Sequence, residues 1–230
     1  MKLLSIDTSS NICGVSILEN TNLICTLDNN TGKTHSENLM PMIKEILNKT
    51  NLTLEDIDLI VYDKGPGSFT GLRIGIATVK AFGDSMNLKC IGISSLEALA
   101  YNVKTEGLIC SIIDCKNNNC YFSLYELKNN IYKELIPPTV ESFDNTIKIL
   151  NKFTNLPITF VGSGVNIFNF QNIFQKAILS TDTNNTLNSY HLGLAGFYKY
   201  ISSNTLETTD NILPLYLKKP QAEINFKKKD

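Results

Sequence analysis

Residues 62–83 read YDKGPGSFTGLRIGIATVKAFG and hold five of the thirteen glycines of the chain. The apolar run DIDLIV ends at residue 61, so this stretch follows a predicted buried strand. A glycine-rich turn between a strand and a helix often holds a phosphate group, because backbone N–H groups are exposed there. The same glycines can instead serve the close packing of the helix. The two interpretations predict different proteins, an enzyme or a binding subunit.

None of the three common glycine motifs fits this stretch. The phosphate-binding motif G-x-x-x-x-G-K-[ST] needs a lysine after its last glycine, but Leu72 and Arg73 follow Gly71. The dinucleotide motif G-x-G-x-x-G needs a third glycine where Thr70 stands. A nucleophile elbow needs two glycines around Ser68, and both are absent. The stretch therefore excludes these three kinds of site.

The glycines of the predicted helix favour steric packing instead. Gly71 and Gly75 are four residues apart, so they lie on one helix face, where another backbone can approach closely. The rest of this helix is largely apolar, and the predicted helix at 35–49 has a similar excess of apolar residues. A helix that is apolar all round is either buried in a core or covered by a partner. The pattern leaves both possibilities open.

The wider pattern predicts a duplicated α/β fold. Three short strand-like runs precede the helix at 35–49, and a strand and a helix then follow twice. Beyond KTEG at 104–107, three strands, a helix, a strand and a helix recur. We predict two domains, residues 1–105 and 106–230, each built on a βββαβα unit. The predicted helices are 35–49, 70–87, 95–104, 143–153, 169–178 and 189–204.

Composition and charge indicate a globular protein with no general attraction to nucleic acid. Hydrophobic residues make up 43% and charged residues 19% of the 230 residues, and the net charge is −1. The N-terminal apolar run is too short for a signal peptide, and no stretch has the length of a membrane span, so we expect a cytoplasmic protein. The six cysteines show no C-x-x-C spacing, and we expect them to be reduced and free of metal.

Five segments of the chain resemble one family. They are IDTSSNICGVSIL, HSENLMPMI, GPGSFTGLRIGIATVKAFG, ISSLEALA and PLYLKKPQAE, in this order over most of the chain. Together they resemble the TsaB family, also called YeaZ, for which the run GPGSFTGLR at 65–73 is highly specific. The second half of the chain matches only in patches. The resemblance implies an actin-like (ASKHA, ribonuclease H-like) α/β fold with two duplicated βββαβα domains.

The resemblance also implies a required subunit that is not an enzyme and has no catalytic residue, cofactor or metal of its own. Members of this family pair with TsaD, which carries the metal and transfers a threonylcarbamoyl group to N6 of the adenosine beside the anticodon of tRNA. The ATPase TsaE binds the pair, tRNA is involved indirectly, and a homodimer can form when the subunit is alone. The resemblance places the partner interface on the first two helices, at Leu39, Met40, Met42, Ile43, Ile46, Leu47, Gly71, Leu72, Gly75, Ile76, Val79 and Phe82.

Two alternatives stay open. An actin-like ATPase or phosphotransferase acting alone would bind nucleotide and magnesium near Asp7 and Thr8, which follow the first strand. In the second half, Gly162 and Gly164 are the corresponding nucleotide candidates. A homodimer with a role outside tRNA would use the apolar helices on itself. Nucleotide binding and self-association are therefore the properties that distinguish these alternatives from the subunit hypothesis.

The remaining polar residues receive structural interpretations. His35 and His191 are the only histidines, and their spacing is not that of a helical metal site, so we expect His35 to make local hydrogen bonds. Arg73 predicts a salt bridge with Asp7 or Asp63. Residues 114–116 read DCK where the family usually has D-A-R, which replaces a planar arginine with lysine. The tail from residue 213 is predicted to be irregular and partly exposed, and its basic end FKKKD is a candidate tRNA contact or a solvated terminus.

Overall fold

The computed structural model describes residues 1–32, 34–153, 156–203 and 206–218. The elements of the first half are β1 (Lys2–Asp7), β2 (Cys13–Glu19), β3 (Asn22–Asn29), α1 (His35–Thr50), β4 (Leu59–Asp63), α2 (Phe69–Met86), β5 (Lys89–Ile93) and α3 (Ser95–Ala100). Its five strands form one sheet in the order β3-β2-β1-β4-β5. The first three strands are antiparallel, and β4 and β5 extend the sheet in parallel with β1.

The second half repeats this arrangement. Its elements are β6 (Gly107–Asp114), β7 (Asn119–Lys128), β8 (Ile131–Ser142), α4 (Phe143–Leu150), β9 (Ile158–Val161), β10 (Ala177–Leu179) and α5 (Ser189–Ser203). The strand order is β10-β9-β6-β7-β8, which equals that of the first sheet when β6 is matched with β1. The strand directions correspond as well. The predicted duplication of the strand pattern is confirmed.

The predicted helix at 169–178 is wrong. A single 3-10 turn (Phe170–Asn172) and β10 occupy this stretch instead. Phe170 and Phe174 have the four-residue spacing of a helical stripe, but the contacts they make are aromatic. The ring of Phe160 on β9 stacks on Phe170 with 4.0 Å between the ring centroids, and it also stacks on Phe174. Packing of three rings against the sheet therefore takes the place of the second helix of this unit.

The sequence begins the first two helices with polar caps. Thr34 and Glu37 form a capping box at the start of α1. At the start of α2, Ser68 Oγ accepts a hydrogen bond from the Gly71 N–H at 3.2 Å. These contacts satisfy backbone N–H groups that have no partner within a helix. Both helices lie on the same face of the first sheet, above a core that includes Leu4, Ile6 and Ile60.

Helices α3 and α5 are exchanged between the two sheets. α5 is the last helix in the chain, yet it packs on β1, β2, β4 and β5, whereas α3 from the first half packs on β6 and β7. Leu192 and Ala195 of α5 are buried with Leu3 and Val61 of the first sheet. Each sheet therefore buries one face under a helix from the other half of the chain. The domain boundary at 105/106 stays a prediction.

Candidate functional site

The glycine-rich stretch packs against the β1–β2 turn, residues 8–12. A Cβ atom at Gly71 would lie 1.9 Å from the Thr8 carbonyl oxygen, and one at Gly75 would lie 2.4 Å from Thr8 Oγ1. At Gly67 it would lie 2.3 Å from the Ser9 carbonyl oxygen. Thr8 Oγ1 donates a hydrogen bond to the Gly71 carbonyl oxygen at 2.8 Å. The predicted close approach to a glycine face is confirmed, and the approaching backbone belongs to the same chain.

Two buried carboxyl groups lie next to this turn. Asp7 and Asp63 end the neighbouring parallel strands β1 and β4 and are only 2% and 4% exposed. Ser9 Oγ lies between them, 2.8 Å from Asp7 Oδ1 and 2.9 Å from Asp63 Oδ2. Asp63 Oδ1 also accepts hydrogen bonds from Gly65 N at 2.6 Å and Ser95 Oγ at 2.7 Å. Burial raises the pKa of Asp7, and burial together with the Asp7 charge raises the pKa of Asp63 well above the usual carboxyl range.

A cavity of about 660 Å³ lies between the two halves of the chain, and the β1–β2 turn, the start of α2 and the turn between β6 and β7 border it. Ser163 lines this cavity, whereas Asp7 and Thr8 lie outside its lining. The Gly162 N–H donates a hydrogen bond to Asn185 Oδ1, and a Cβ at Gly164 would lie 2.9 Å from the Ile112 side chain. The four nucleotide candidates, Asp7, Thr8, Gly162 and Gly164, therefore pack against other residues of the chain and do not face the cavity. We do not propose a nucleotide site at these residues.

The turn between β6 and β7 neutralises its own acidic residue. Lys116 Nζ lies 2.9 Å from Asp114 Oδ2, and the Asp114 N–H lies 3.3 Å from Ser163 Oγ. Lys116, Asn117 and Asn118 adopt left-handed backbone conformations with φ between 55° and 67°. Asparagine tolerates this conformation better than most residues, which explains the asparagine-rich sequence. The Asp114 carboxylate is paired within its turn at the mouth of the cavity.

Most residues predicted as partner contacts lie in the core of this chain. Met40 is 51% exposed and Leu47 is half-buried, whereas the other ten are buried. These ten are Leu39, Met42, Ile43, Ile46, Gly71, Leu72, Gly75, Ile76, Val79 and Phe82. They hold α1 and α2 on the first sheet, so an interface on these helices has to be formed by their exposed neighbours. The partner interface itself stays a prediction.

The outward faces of α1 and α2 carry small and apolar residues among charged ones. Besides Met40 on α1, Ala77 and Ala81 on α2 are exposed. Leu47 and Ile74 are half-buried and contact the first core. The two helices also contact each other. We call these five residues the outer helical face.

The C-terminal segment, residues 206–218, returns to the first half of the chain. Ile212 is fully buried in the first core. The Tyr216 ring stacks on Phe69 at 4.7 Å between centroids. Lys218 Nζ donates a hydrogen bond to the Cys115 carbonyl oxygen at 3.1 Å, which connects the segment to the β6–β7 turn. The segment is irregular, as predicted, but its docking was not predicted. The basic end at 226–230 lies outside the described residues.

The predicted salt bridge of Arg73 with Asp7 or Asp63 is wrong. Its guanidinium lies 3.8 Å from the centroid of the Phe69 ring, and Arg73 Nε donates a hydrogen bond to the Tyr216 hydroxyl at 3.0 Å. Arg73 is exposed on α2, whereas both acids are buried, so the charged groups do not meet. The cation–π contact lies within α2 and contributes about 0.5–1 kcal/mol at an exposed site. The hydrogen bond to Tyr216 is the contact of Arg73 that helps to hold the C-terminal segment.

Other candidate groups have structural contacts. His35 Nε2 lies 2.8 Å from the Ser10 carbonyl oxygen, so its hydrogen bond links the start of α1 to the β1–β2 turn and is not the local bond that was predicted. All six cysteines are free thiols. Within the described ranges, no three histidine, cysteine, aspartate or glutamate side chains are grouped so that they could hold a metal ion. The described helices include none with the length and apolar character needed to cross a membrane.

Comparison with known proteins identifies the family. The family model described as TsaD, tRNA N6-adenosine threonylcarbamoyltransferase, matches residues 28–226. The tRNA threonylcarbamoyladenosine biosynthesis protein TsaB of Bacillus subtilis is 33% identical over 163 residues, which cover 70% of this chain and 71% of that protein. The TsaB protein of Haemophilus influenzae is 28% identical, and the match covers 99% of this chain and 97% of that protein.

The fold agrees with this relationship. The solved structure of YeaZ from Pseudomonas aeruginosa matches with a TM-score of 0.74 and 22% identity, over 94% of this chain and 99% of that chain. At this level of identity the likeness shows the fold, and it confirms the predicted duplicated, actin-like α/β architecture. The sequence matches show more than the fold: the chain belongs to the TsaB family, whose members are named for tRNA threonylcarbamoyladenosine biosynthesis.

Proposed function

We propose that this chain is a non-catalytic subunit of the tRNA threonylcarbamoyl transferase, which binds TsaD through α1 and α2 and stabilises it. TsaD would then modify N6 of the adenosine beside the anticodon. Membership of the TsaB family supports the pathway. The match to a TsaD family model indicates that the partner has a related fold. The observation that carries the proposal is the composition of the outer helical face.

The outer helical face has the features of a helix-on-helix contact. Ala77 and Ala81 are four residues apart on α2, so their small side chains let a second helix approach closely. Met40 on α1 is 51% exposed, and a flexible methionine adapts to the shape of a partner surface. Charged residues such as Lys44 and Asp84 lie nearby in sequence and are exposed, which suits the polar rim of an interface.

The contacts of the acidic residues support a role without catalysis. A general acid or base has to reach its substrate. Asp7 and Asp63 are buried and hydrogen-bonded to Ser9, and Asp114 forms an ion pair with Lys116. Asp7 is the acid at which the alternative of an independent ATPase would have bound nucleotide and magnesium. The catalytic groups are therefore proposed to come from TsaD.

The same face accounts for the other proposed associations. In the absence of TsaD, a second copy would cover the outer helical face and give a homodimer, so the two associations would compete. The ATPase TsaE is proposed to bind the assembled pair. With a net charge of −1, this chain has no strong field for phosphates, so tRNA is proposed to be held mainly by the partner.

Co-purification with TsaD from the same organism tests this function. The variants Met40→Glu and Ala81→Glu place a charge on the outer helical face. Ile201→Glu on α5 is the matched control, because Ile201 is also an exposed apolar residue, at 58%. Burying an unpaired charge in an interface is strongly unfavourable, so we expect both face variants to bind TsaD at least tenfold more weakly. The control variant should bind like the wild type.

Circular dichroism and light scattering complete the experiment. All three substitutions are at exposed positions, so each variant should melt like the wild type. The two face variants should also be monomeric if the homodimer uses the same surface. The proposed function is refuted if the wild type never captures TsaD. If Met40→Glu and Ala81→Glu both fold and capture TsaD as well as Ile201→Glu does, the outer helical face is not the surface that binds TsaD.

A further inference from the structure

A single serine hydroxyl separates the two buried carboxyls at the ends of β1 and β4. Ser9 Oγ is within hydrogen-bond distance of Asp7 Oδ1, at 2.8 Å, and of Asp63 Oδ2, at 2.9 Å. A serine hydroxyl has one proton, so it can donate to only one of these oxygens. The other contact is a hydrogen bond only if the carboxyl itself supplies the proton. One proton on the pair of carboxyls gives both contacts a hydrogen of their own.

The remaining contacts assign this proton to Asp63. Asp7 Oδ1 accepts the Ser9 backbone N–H at 2.8 Å as well as facing Ser9 Oγ, an arrangement that suits a carboxylate. Asp63 Oδ1 is occupied as an acceptor by Gly65 N and Ser95 Oγ, so Oδ2 is the oxygen that can carry hydrogen towards Ser9. The hydrogen bonds then run from Asp63 Oδ2–H to Ser9 Oγ, and from Ser9 Oγ–H to Asp7 Oδ1.

The groups around the pair favour the retention of this proton. Asp28 of β3 and Cys13 of β2 face Asp7, and both would add negative charge if ionised. Burial raises the pKa of Asp28, and it raises the pKa of Cys13 to about 12. From α2 the glycine face packs on the adjacent turn, and α3 presents the Ser95 hydroxyl. A second carboxylate here would be buried beside like charges, which disfavours ionisation.

We propose that Asp63 stays protonated at neutral pH and that its proton acts as a latch between the β1–β2 turn and the loop that leads into α2. Asp63 holds the loop through the Gly65 N–H, and the proton connects it to Ser9 in the turn. When Asp63 ionises, the proton passes to solvent, the hydrogen bond to Ser9 is lost, and two carboxylates face each other. The connection between the loop before α2 and the β1–β2 turn is then weakened at alkaline pH, while the hydrogen bond from the Ser68 N–H to the Ser9 carbonyl oxygen, at 2.7 Å, remains. All the groups of this latch, Asp7, Ser9 and Asp63, are in this chain, so the proposal does not depend on the binding of TsaD.

Asp63→Asn is the test, because an amide N–H replaces the acid hydrogen and the amide oxygen keeps the acceptor role. Urea unfolding is measured for both proteins between about pH 5 and about pH 9. If the pKa of Asp63 is higher in the folded than in the unfolded state, its contribution to stability is complete at a pH below its unfolded-state pKa. This contribution is lost as the pH rises towards the folded-state pKa. The unfolding constant of the wild type should therefore rise about tenfold per pH unit relative to that of the variant.

Infrared spectroscopy reads the proton directly. At neutral pH the wild type should show the C=O stretching band of a buried carboxylic acid, and Asp63→Asn should lack it. Asp63→Leu is the control for hydrogen bonding, since it is similar in size but leaves Gly65 N and Ser95 Oγ without their acceptor. This control should unfold at lower urea than Asp63→Asn at every pH.

Two results overturn the latch. One is an equal pH dependence of stability in the wild type and Asp63→Asn. The other is the absence of a carboxylic acid band from the wild-type spectrum at neutral pH. If Asp63→Asn does not fold, Asp7→Asn replaces it, and a carboxylic acid band that persists in this variant assigns the acid to a residue other than Asp7. A band that disappears on titration to alkaline pH supports the proposal, and a spectrum without this band refutes it.

Discussion

Gly71→Ala should destabilise the protein, although alanine is the better helix former. At an ordinary helical position this change is favourable by about 1 kcal/mol. At Gly71 the added Cβ would lie 1.9 Å from the Thr8 carbonyl oxygen, whereas real Cβ atoms essentially never approach closer than 3.0 Å. The helix or the turn has to move by about 1.1 Å, which is 3.0 minus 1.9. Overpacking costs about 1–3 kcal/mol. Because the obstacle here is backbone, we take the upper end, and subtracting the gain of about 1 kcal/mol leaves a net loss of about 2 kcal/mol in the free energy of unfolding.

Gly75→Ala is the matched comparison, because its obstacle is a side chain rather than backbone. Its Cβ would lie 2.4 Å from Thr8 Oγ1, and Thr8→Ala removes that atom. In the Thr8→Ala background, Gly75→Ala should therefore become neutral or stabilising, with a coupling energy of about 1–2 kcal/mol. Gly71→Ala should stay destabilising in the same background, since the Thr8 carbonyl oxygen is still present.

Urea unfolding followed by circular dichroism measures all the terms of this double-mutant cycle. The reasoning about close approach is refuted if Gly71→Ala is as stable as the wild type. It is also refuted if Thr8→Ala rescues both glycine variants equally, because backbone and side-chain obstacles would then be indistinguishable. Either result would mean that α2 can move away from the β1–β2 turn at little cost.

Three further outcomes are expected. Lys218→Met removes the hydrogen bond to the Cys115 carbonyl oxygen, so hydrogen exchange in the β6–β7 turn should become faster, and unchanged exchange would contradict a linking role of the C-terminal segment. Burial lowers the pKa of His191 to about 4, so stability should decrease by up to about 3 kcal/mol as the pH falls from about 6.5 towards 4. His191→Gln should abolish this decrease, and a decrease that persists would argue against His191 as its source. A fragment of residues 1–105 should not unfold cooperatively, because it lacks α5, which covers one face of the first sheet. A sharp unfolding transition of this fragment would contradict the dependence of the first sheet on α5.

The repeated strand order could be predicted from the sequence because the strands carry local signals. β1 and β4 are short apolar runs that end in aspartate, and they are buried almost throughout because helices cover both faces of the sheet. Period and length alone distinguish such strands from the longer helical stripes of α1 and α2. The stretch at 169–178 carries no such clear local signal. Phe170 and Phe174 are four residues apart, a spacing that fits a helix as well as a 3-10 turn packed on Phe160.

The side of α2 that its own sheet covers could not be predicted from its composition. Ile76 and Val79 are apolar like interface residues, but they are covered by the sheet of their own chain. A sequence shows that a helix face is apolar and does not show what lies against it. The exposed residues Ala77 and Ala81 are compatible with the proposed interface, but alanine is also the best helix former, so their composition alone does not identify a partner surface.

Contacts between distant segments could not be predicted for a related reason. Asp7 and Asp63 were each visible at the end of a strand, but their pairing through Ser9 depends on the parallel register of β1 and β4. Arg73 had two acidic neighbours in the predicted topology, yet it points outward to Tyr216 from the other end of the chain. The charge of Arg73 indicated an acidic partner, but its guanidinium contacts the Phe69 ring and the Tyr216 hydroxyl instead.

The glycine-rich stretch combines these observations in one physical argument. A phosphate at such a turn needs open space and free N–H groups at the start of the helix. Here Gly67, Gly71 and Gly75 bring α2 against Thr8 and Ser9, so the space between α2 and these two residues is filled by the protein itself. The same approach seals Asp7 and Asp63 beneath the helix and turns the small residues of α2 outward. A helix packed this closely leaves no room for a phosphate between itself and Thr8, and its exposed Ala77 and Ala81 belong to the surface proposed above to bind a partner.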